Sequence, residues 1–281
     1  MKTRPRKRFG QHWLESKAAL NQMLTAARLA PSDRVLEIGP GKGVLTEKLL
    51  SQAEEVVSVE IDRDLCVYLR RHFHQHPRFH LLEADFLKTP FAGDDALPVL
   101  QTVNKVVANI PYNITGPILD KLLGTVEHPF PRPLDAIVLL LQREVADRIC
   151  AQPGSKRFGA LSVRSQYLAK CELLYEVPAK AFKPAPKVES AIICLTPRPY
   201  PAQATNPKWM GTLVKQGFST RRKMLRNNLA AIVDRETILP SLESVDASLE
   251  ARAEELSLNQ WVQLSDILRP KSQGEPNHPQ G

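Results

Sequence analysis

Cysteine is scarce and dispersed. The 281 residues hold four, Cys66, Cys150, Cys171 and Cys194, with no C-x-x-C pair among them. That spacing argues against a zinc ribbon or a disulfide framework and suits reduced thiols in the cytoplasm. Long hydrophobic runs are also missing, and nothing approaches the ~18–20 apolar residues that cross a bilayer. No apolar segment follows the basic opening Met1-Lys2-Thr3-Arg4-Pro5-Arg6-Lys7-Arg8. A secretory signal is therefore not expected, and the run is too short for a transit peptide. His72, His74, His76 and His80 are close in sequence, but on a helix only residues 72 and 76 share a face. No cysteine or acidic partner stands at ligand spacing, so they read as solvated helix-end histidines and no metal is expected. Neither a G-x-G-x-x-G fingerprint nor a Walker loop occurs, and there is no internal repeat.

What the chain does have is positive charge, +8 in net terms, in an otherwise ordinary composition of 43% hydrophobic and 24% charged residues. Cations gather at Arg4 to Arg8, at Arg143 and Arg148, at Lys156-Arg157, at Lys180 to Lys187, and at Arg221, Arg222, Lys223 and Arg226. One such cluster is usually solvated surface; several in one basic chain point toward nucleic acid. The last group reads as lying within two helical turns and contacting phosphates.

Apolar periodicity predicts an alternating α/β pattern. A helix over Glu15 to Ala30 precedes a short strand, Arg34 to Ile38, and then come a helix from Val44 to Leu50 and a strand from Val56 to Ile61. A helix from Asp64 to Phe73 leads to strands at Phe79 to Asp85, Lys105 to Asn109 and Asp135 to Leu141, the last apolar enough to be buried on both faces. Helices are expected at Pro117 to Leu123, Glu144 to Cys150 and Ala160 to Ala169, and strands at Glu172 to Val177 and Ser190 to Leu195. Strand, helix, strand at this spacing means βαβ crossovers in a doubly wound sheet of seven strands. Three prolines in Thr196 to Pro201 make residues 199–206 a stiff linker. The region 207–270 reads as a small all-α domain, and 271–281 has the composition of a disordered tail.

The candidate chemistry collects where the expected strands end. Glu37-Ile38-Gly39-Pro40-Gly41-Lys42-Gly43 closes the first strand and opens a helix, a setting in which glycines let backbone amides approach a ligand. Glu60, 21 positions after Gly39, can accept from both hydroxyls of a ribose, and Asp85 from an adenine amine. Asn109-Ile110-Pro111-Tyr112 puts an amide, a carbonyl freed from ladder pairing by proline, and a ring at the end of the fourth strand. Two acceptors and a ring suit a flat ligand with an exocyclic amine.

These features resemble the class I S-adenosylmethionine-dependent methyltransferases, with their acidic E-x-G-x-G-x-G first motif. More narrowly, the chain is similar to the ribosomal RNA adenine N6,N6-dimethyltransferases, in particular those acting on the small subunit. The likeness is carried by residues 7–14, Asn109 to Ile114, Gln142 to Ala146, Phe182 to Ser190 and Phe218 to Leu229. It implies a Rossmann-like catalytic domain over residues 1–198 followed by an RNA-binding helical domain. The cofactor pocket would use His12, Leu14, Gly39, Glu60, Asp85 and Asn109, with Glu37, Gly41 and Ala84 lining it. Catalysis would rest on Asn109, Pro111 and Tyr112, with Phe182 closing the second face of the target base. Arg221, Arg222, Lys223 and Arg226 would bind RNA. The expected partner is 16S rRNA in the 30S subunit, modified by a cytoplasmic monomer at two adjacent adenosines near its 3′ end. Where the family usually has Gln-Asn-Phe-Leu, this chain has Gln11-His12-Trp13-Leu14, and His12 could serve through backbone or side chain. Two alternatives stay open: a large-subunit relative of the resistance type, and an RNA-binding assembly factor without catalysis.

Overall fold

A computed structural model describes residues 11–132 and 134–269. The basic opening up to Arg8 and the tail 271–281 lie outside the described residues. The elements, in chain order, are β1 (Trp13–Leu14), α1 (Lys17–Ala27), β2 (Arg34–Ile38), α2 (Val44–Leu50), β3 (Glu55–Glu60), α3 (Arg63–His72) and β4 (Phe79–Glu83). Then come α4 (Pro98–Gln101), β5 (Lys105–Asn109), α5 (Thr115–Leu123), β6 (Ala136–Gln142), α6 (Arg143–Ile149), α7 (Ala160–Leu168), β7 (Ala169–Val177), β8 (Phe182–Lys183) and β9 (Ser190–Pro197). The remainder is helical: α8 (Pro207–Gly217), α9 (Leu225–Leu229), α10 (Arg235–Ser244) and α11 (Leu258–Ile267).

Seven strands form one sheet in the order β4-β3-β2-β5-β6-β9-β7. The pairs from β4 through β6 are parallel, and β9 runs antiparallel to both β6 and β7. Alternate residues Val35, Val56, Val107 and Val138 join a buried cluster with Leu20, Met23 and Leu24 of α1 and Leu49 of α2. The interleaved Leu36, Val57, Val106 and Ile137 are equally buried, so helices cover both faces. Ile137 to Leu141 are all wholly buried, in line with the double-sided burial expected of that strand.

At the pole away from the glycine loop, Asp33 joins three elements. Its carboxylate accepts from Lys105 Nζ at 2.8 Å and from Asn104 Nδ2 at 2.8 Å, while Lys105 also donates to the Arg28 carbonyl at 2.8 Å. These bonds set the starts of β2 and β5 side by side, with Val35 opposite Lys105. A second, two-stranded sheet pairs β1 with β8, Trp13 opposite Lys183 and Leu14 opposite Phe182. It was not among the expected strands.

The chain divides into two compact units. One holds the residues up to Ala151 with Ser165–Tyr200, the other Gln152–Arg164 with the residues from Pro201 on. Residues 152–164, inside the continuous stretch 1–198 expected from the sequence, thus group with the C-terminal helices. In that second unit the Gly154 N–H donates to the Glu254 carbonyl at 2.7 Å, and Phe158 is buried beside Phe218. The C-terminal helices pack on Trp261, which is wholly buried. Gly217 ends α8 against it, and a Cβ there would stand 2.4 Å from Trp261 Cη2 and 2.9 Å from Leu225 Cδ1. Gly217→Ala is expected to cost about 1–3 kcal/mol through overpacking. Denaturant unfolding followed by tryptophan fluorescence measures this, and an unchanged midpoint would mean the indole can yield.

Candidate active site

The carboxyl ends of β2, β3 and β5 open on a cavity of about 360 Å³, within the range of small-molecule sites. It lies where the strand order reverses, β3 on one side of β2 and β5 on the other, the usual ligand crevice of an open α/β sheet. His12, Leu14, Glu37, Gly39, Gly41, Glu60, Ala84, Asp85, Asn109, Pro111 and Tyr112 all line it.

The glycine loop follows β2 directly. Gly39, Gly41 and Gly43 have φ of 70°, 59° and 81°, a region that side chains with a Cβ rarely adopt. The Gly39 N–H donates to the Val59 carbonyl at 2.9 Å, which holds the loop against the end of β3. A Cβ on Gly41 would stand 3.2 Å from Trp13 Cδ1, whereas one on Gly39 would meet nothing within 4 Å.

Glu60 ends β3, 4% exposed, with Oε1 accepting from the Asp62 N–H at 2.9 Å and Oε2 from the Gly41 N–H at 3.4 Å. Burial raises its pKa against the pull of those two amides. Asp85 lies two residues beyond β4, not at its end as expected, because the strand stops at Glu83. Its Oδ1 accepts from the Leu87 N–H at 3.0 Å and so shapes the turn that brings it into the cavity.

Glu37 also borders the cavity, from the second-last position of β2. It is 1% exposed, and its Oε2 accepts from Thr46 Oγ1 at 2.6 Å and Ser58 Oγ at 2.8 Å. Burial pushes its pKa up to about 7, the two hydroxyls pulling the other way. It ties β2, α2 and β3 together beneath the glycine loop.

At the other end of the cavity the Asn109 side chain, on the last residue of β5, donates through Nδ2 to the His12 carbonyl at 3.2 Å. That bond assigns the amide, leaving Oδ1 as its acceptor. Pro111 turns the chain into a single 3-10 turn, Tyr112–Ile114, ahead of α5. The Tyr112 hydroxyl bonds Ser190 Oγ at 2.5 Å, and its ring stacks on that of His12 with centroids 5.8 Å apart and planes 20° apart. Burial raises the Tyr112 pKa, so it stays a neutral phenol. Phe182 is not among the lining residues. It is 4% exposed, opposite Leu14 in the β1–β8 pair and part of the buried α1 cluster, because that pairing turns its ring inward.

A model of the family described as Ribosomal RNA adenine dimethylase matches residues 2–269. The chain belongs to that family. This dimethylase is 59% identical over 267 residues to Ribosomal RNA small subunit methyltransferase A of Acaryochloris marina, covering 95% of this chain and 98% of the relative. It is 56% identical to the protein of the same name from a Picosynechococcus species, over 94% of this chain and 97% of the relative. Among solved structures it is similar to a dimethyladenosine transferase from Plasmodium falciparum, with TM-score 0.75, 28% identity and 90% and 96% of the two chains covered. It is also similar to the 23S rRNA methyltransferase ErmE, with TM-score 0.71, 27% identity and 91% and 99% covered. The expected class I methyltransferase sheet and the family resemblance both hold.

In the dimethylase the cation clusters divide. Arg143 is spent on ion pairs, with Nη2 2.7 Å from Glu176 and Nη1 2.9 Å from Glu189, so it is no free basic patch. Arg221, Arg222 and Lys223 are exposed, but in a turn before α9 rather than on a helix, and only Arg226 is helical. Buried Asn228 builds that turn, donating to the Gly217 carbonyl at 2.6 Å and the Thr220 carbonyl at 3.1 Å. Of the histidines, His72 Nε2 meets Glu47 Oε1 at 2.8 Å and His74 Nδ1 donates to the Arg71 carbonyl at 2.9 Å. Trp13 is a cavity residue that the sequence did not point to. Its buried Nε1 has no hydrogen-bond partner among the described residues, and Lys42 Nζ lies 4.0 Å over its ring. An aromatic a few residues after a basic run carries no signal of its own.

Glu37 gives a test by pH. Its pKa is higher in the folded chain than the ordinary 4.5, so the folded chain binds its proton more tightly. That contribution to stability is full below about 4.5 and lost as pH rises to about 7, with a slope approaching about 1.4 kcal/mol per pH unit. Glu37→Gln is expected to remove this slope. Unfolding free energies from pH 5 to 8 should therefore move in the variant's favour relative to wild type as pH rises. Parallel curves would contradict the assignment.

Proposed function

We propose that the chain dimethylates adenine N6 in small-subunit ribosomal RNA with S-adenosylmethionine as methyl donor. The observation that carries this reading is the Asn109 amide, whose nitrogen is committed to the His12 carbonyl and whose oxygen is left to accept beside the Tyr112 ring. Identity of 59% to a small-subunit enzyme, against 27% to ErmE, favours the small subunit over the large. The proposed targets are two adjacent adenosines near the 3′ end of 16S rRNA in the 30S subunit. The proposed enzyme is a cytoplasmic monomer with a part in subunit maturation. No described helix is long and apolar enough to cross a membrane.

The cavity fits the cofactor. Glu60 offers acceptors for ribose hydroxyls, Asp85 an acceptor for the adenine amine, and the open space at Gly39 leaves room for a ligand against backbone. Trp13 Nε1 is a buried donor awaiting an acceptor, which costs about 1–3 kcal/mol while unmet. Leu14, Gly41, Ala84 and Asn109 complete the walls, and Glu37 supports the loop from below. When bound, S-adenosylmethionine supplies an activated methyl group on a sulfonium.

The protein's own work is alignment and charge stabilisation. The lone pair of an aromatic amine is delocalised into its ring, which makes it a weak nucleophile. Asn109 Oδ1 and the Ile110 carbonyl accept its N–H groups, favour a pyramidal nitrogen, and stabilise the positive charge that develops there. The Tyr112 ring holds the unstacked base by its π face. After one methylation a single N–H remains, and one of the two acceptors still orients it for the second round. Pro111 removes a competing backbone donor from the strand end.

Asn109→Ala is expected to lower methyl transfer to unmethylated 30S subunits about 10²–10³-fold, the effect of losing one such polar group. Labelled cofactor counts the methyls, and mapping of modified nucleotides identifies the sites. Near-normal transfer would remove the amine contact, and methylation of 50S in preference to 30S would overturn the choice of subunit. The turn 221–223 is proposed to contact phosphates. Replacing Arg222 and Lys223 by Gln should lower the salt slope of RNA binding by about 0.7–0.9 for each phosphate no longer neutralised. An unchanged slope would clear that turn of any part in phosphate binding.

A further inference from the structure

Lys121 stands in the last turn of α5, half-buried, and does not itself line the cavity. Its contacts converge on three consecutive residues of the turn after β4. Nζ donates to the Leu87 carbonyl at 3.1 Å, lies 5.2 Å from the centre of the buried Phe86 ring, and feels the Asp85 carboxylate through space. Burial lowers the Lys121 pKa, and Asp85 pulls it the other way. Asp85, Phe86 and Leu87 all line the cavity. Within the turn, the Asp85 carbonyl accepts from the Lys88 N–H at 3.0 Å and the Phe86 carbonyl from the Thr89 N–H at 3.3 Å. The Leu87 carbonyl takes Lys121 instead. Leu87 is also the residue whose N–H holds Asp85 Oδ1 at 3.0 Å. A cation at a helix end suits the helix dipole in any case, but the dipole does not require an ammonium bonded to a carbonyl of another element.

We propose that Lys121 is a positioning residue for recognition of the cofactor's adenine: through Leu87 it holds the Asp85 carboxylate where it accepts the exocyclic amine. The inference rests on the S-adenosylmethionine reading above. An ionised carboxylate only accepts, so Asp85 welcomes an amine, repels a carbonyl, and separates adenine from its deaminated counterpart. That selectivity depends on where the carboxylate points. Leu87 sets the direction with its N–H, and Lys121 fixes Leu87 by its carbonyl. Without the ammonium that carbonyl loses its partner, the turn gains freedom, and the carboxylate is no longer held in one direction. The start of the same helix serves the other substrate, since the Thr115 hydroxyl donates to the Tyr112 carbonyl at 3.2 Å. One helix thus braces the catalytic turn with its first residue and the adenine-binding turn with its last turn.

The test titrates two ligands into the full chain by calorimetry. One is S-adenosylhomocysteine, the demethylated cofactor; the other is S-inosylhomocysteine, with a carbonyl in place of the adenine amine. Wild type is compared with Lys121→Met and Lys121→Arg. Lys121→Met keeps an unbranched stem and removes the donor. It should weaken S-adenosylhomocysteine about tenfold, the scale of one hydrogen bond to a charged group, and the inosine compound less than about twofold. The preference for adenine then narrows about five- to tenfold. Lys121→Arg restores a charged donor and should recover most of that preference. Equal weakening of both ligands would overturn the proposal, since a merely structural loss spares neither. So would an unchanged preference in Lys121→Met, or an Arg variant no better than Met. Failure of the cofactor reading is told apart because there the wild-type chain itself binds neither compound.

Discussion

Strand β2 takes β3 as a parallel partner on one side and β5 on the other, and everything functional hangs on that branching. Parallel pairing puts the carboxyl ends of all three at one edge, while the connections that leave them run to opposite faces. The buried Asp33–Lys105 pair, with Asn104 beside it, holds the far ends of β2 and β5 in register. A gap therefore opens between their near ends, and the glycine loop and the Asn-Ile-Pro-Tyr turn border it. Neither motif could meet the other without this arrangement.

Polar groups in that gap are sorted by how far they are buried. Glu37 is wholly buried, and its bonds to Thr46 and Ser58 give it a scaffold role. Glu60 is nearly as buried, but its two oxygens take backbone amides from the loop and from the start of α3, leaving lone pairs for a ligand. Asn109 is half-buried and has one end of its amide tied down. A graded series results, from support below to contact above.

Much of this was legible in the sequence. Strands β2 and β5 and helix α2 fall at the expected residues, because apolar runs there are cut off sharply by Gly39, by Pro111 and by the helix-opening glycines. Boundaries drifted where no breaker stood: Leu82 to Asp85 has no glycine or proline, and Asp85 overshoots the strand end at which the apolar pattern puts it. The pair β1–β8 was illegible because two residues carry no periodicity and their partners lie some 170 positions apart. That pairing is also what turns Phe182 inward, so the one site residue placed elsewhere depends on the one sheet that could not be read. Arg143 looked like a free cation for the same reason, since Glu176 and Glu189 reach it only through the antiparallel return of β9.

The base end of the cavity draws on residues 12, 109–112 and 184–190, and the bond between His12 and Pro184 spans 172 positions of chain. The cofactor end is lined by residues up to 87 together with Asn109 and its neighbours. Two of those residues, Trp13 and Leu14, lie in β1, whose strand partners are Lys183 and Phe182. During synthesis both ends of the cavity therefore wait on the same late stretch of chain. A growing chain has the glycine loop and the Asn-Ile-Pro-Tyr turn long before it has the segment that fixes the walls over them, so neither donor nor acceptor is held until that stretch has been made.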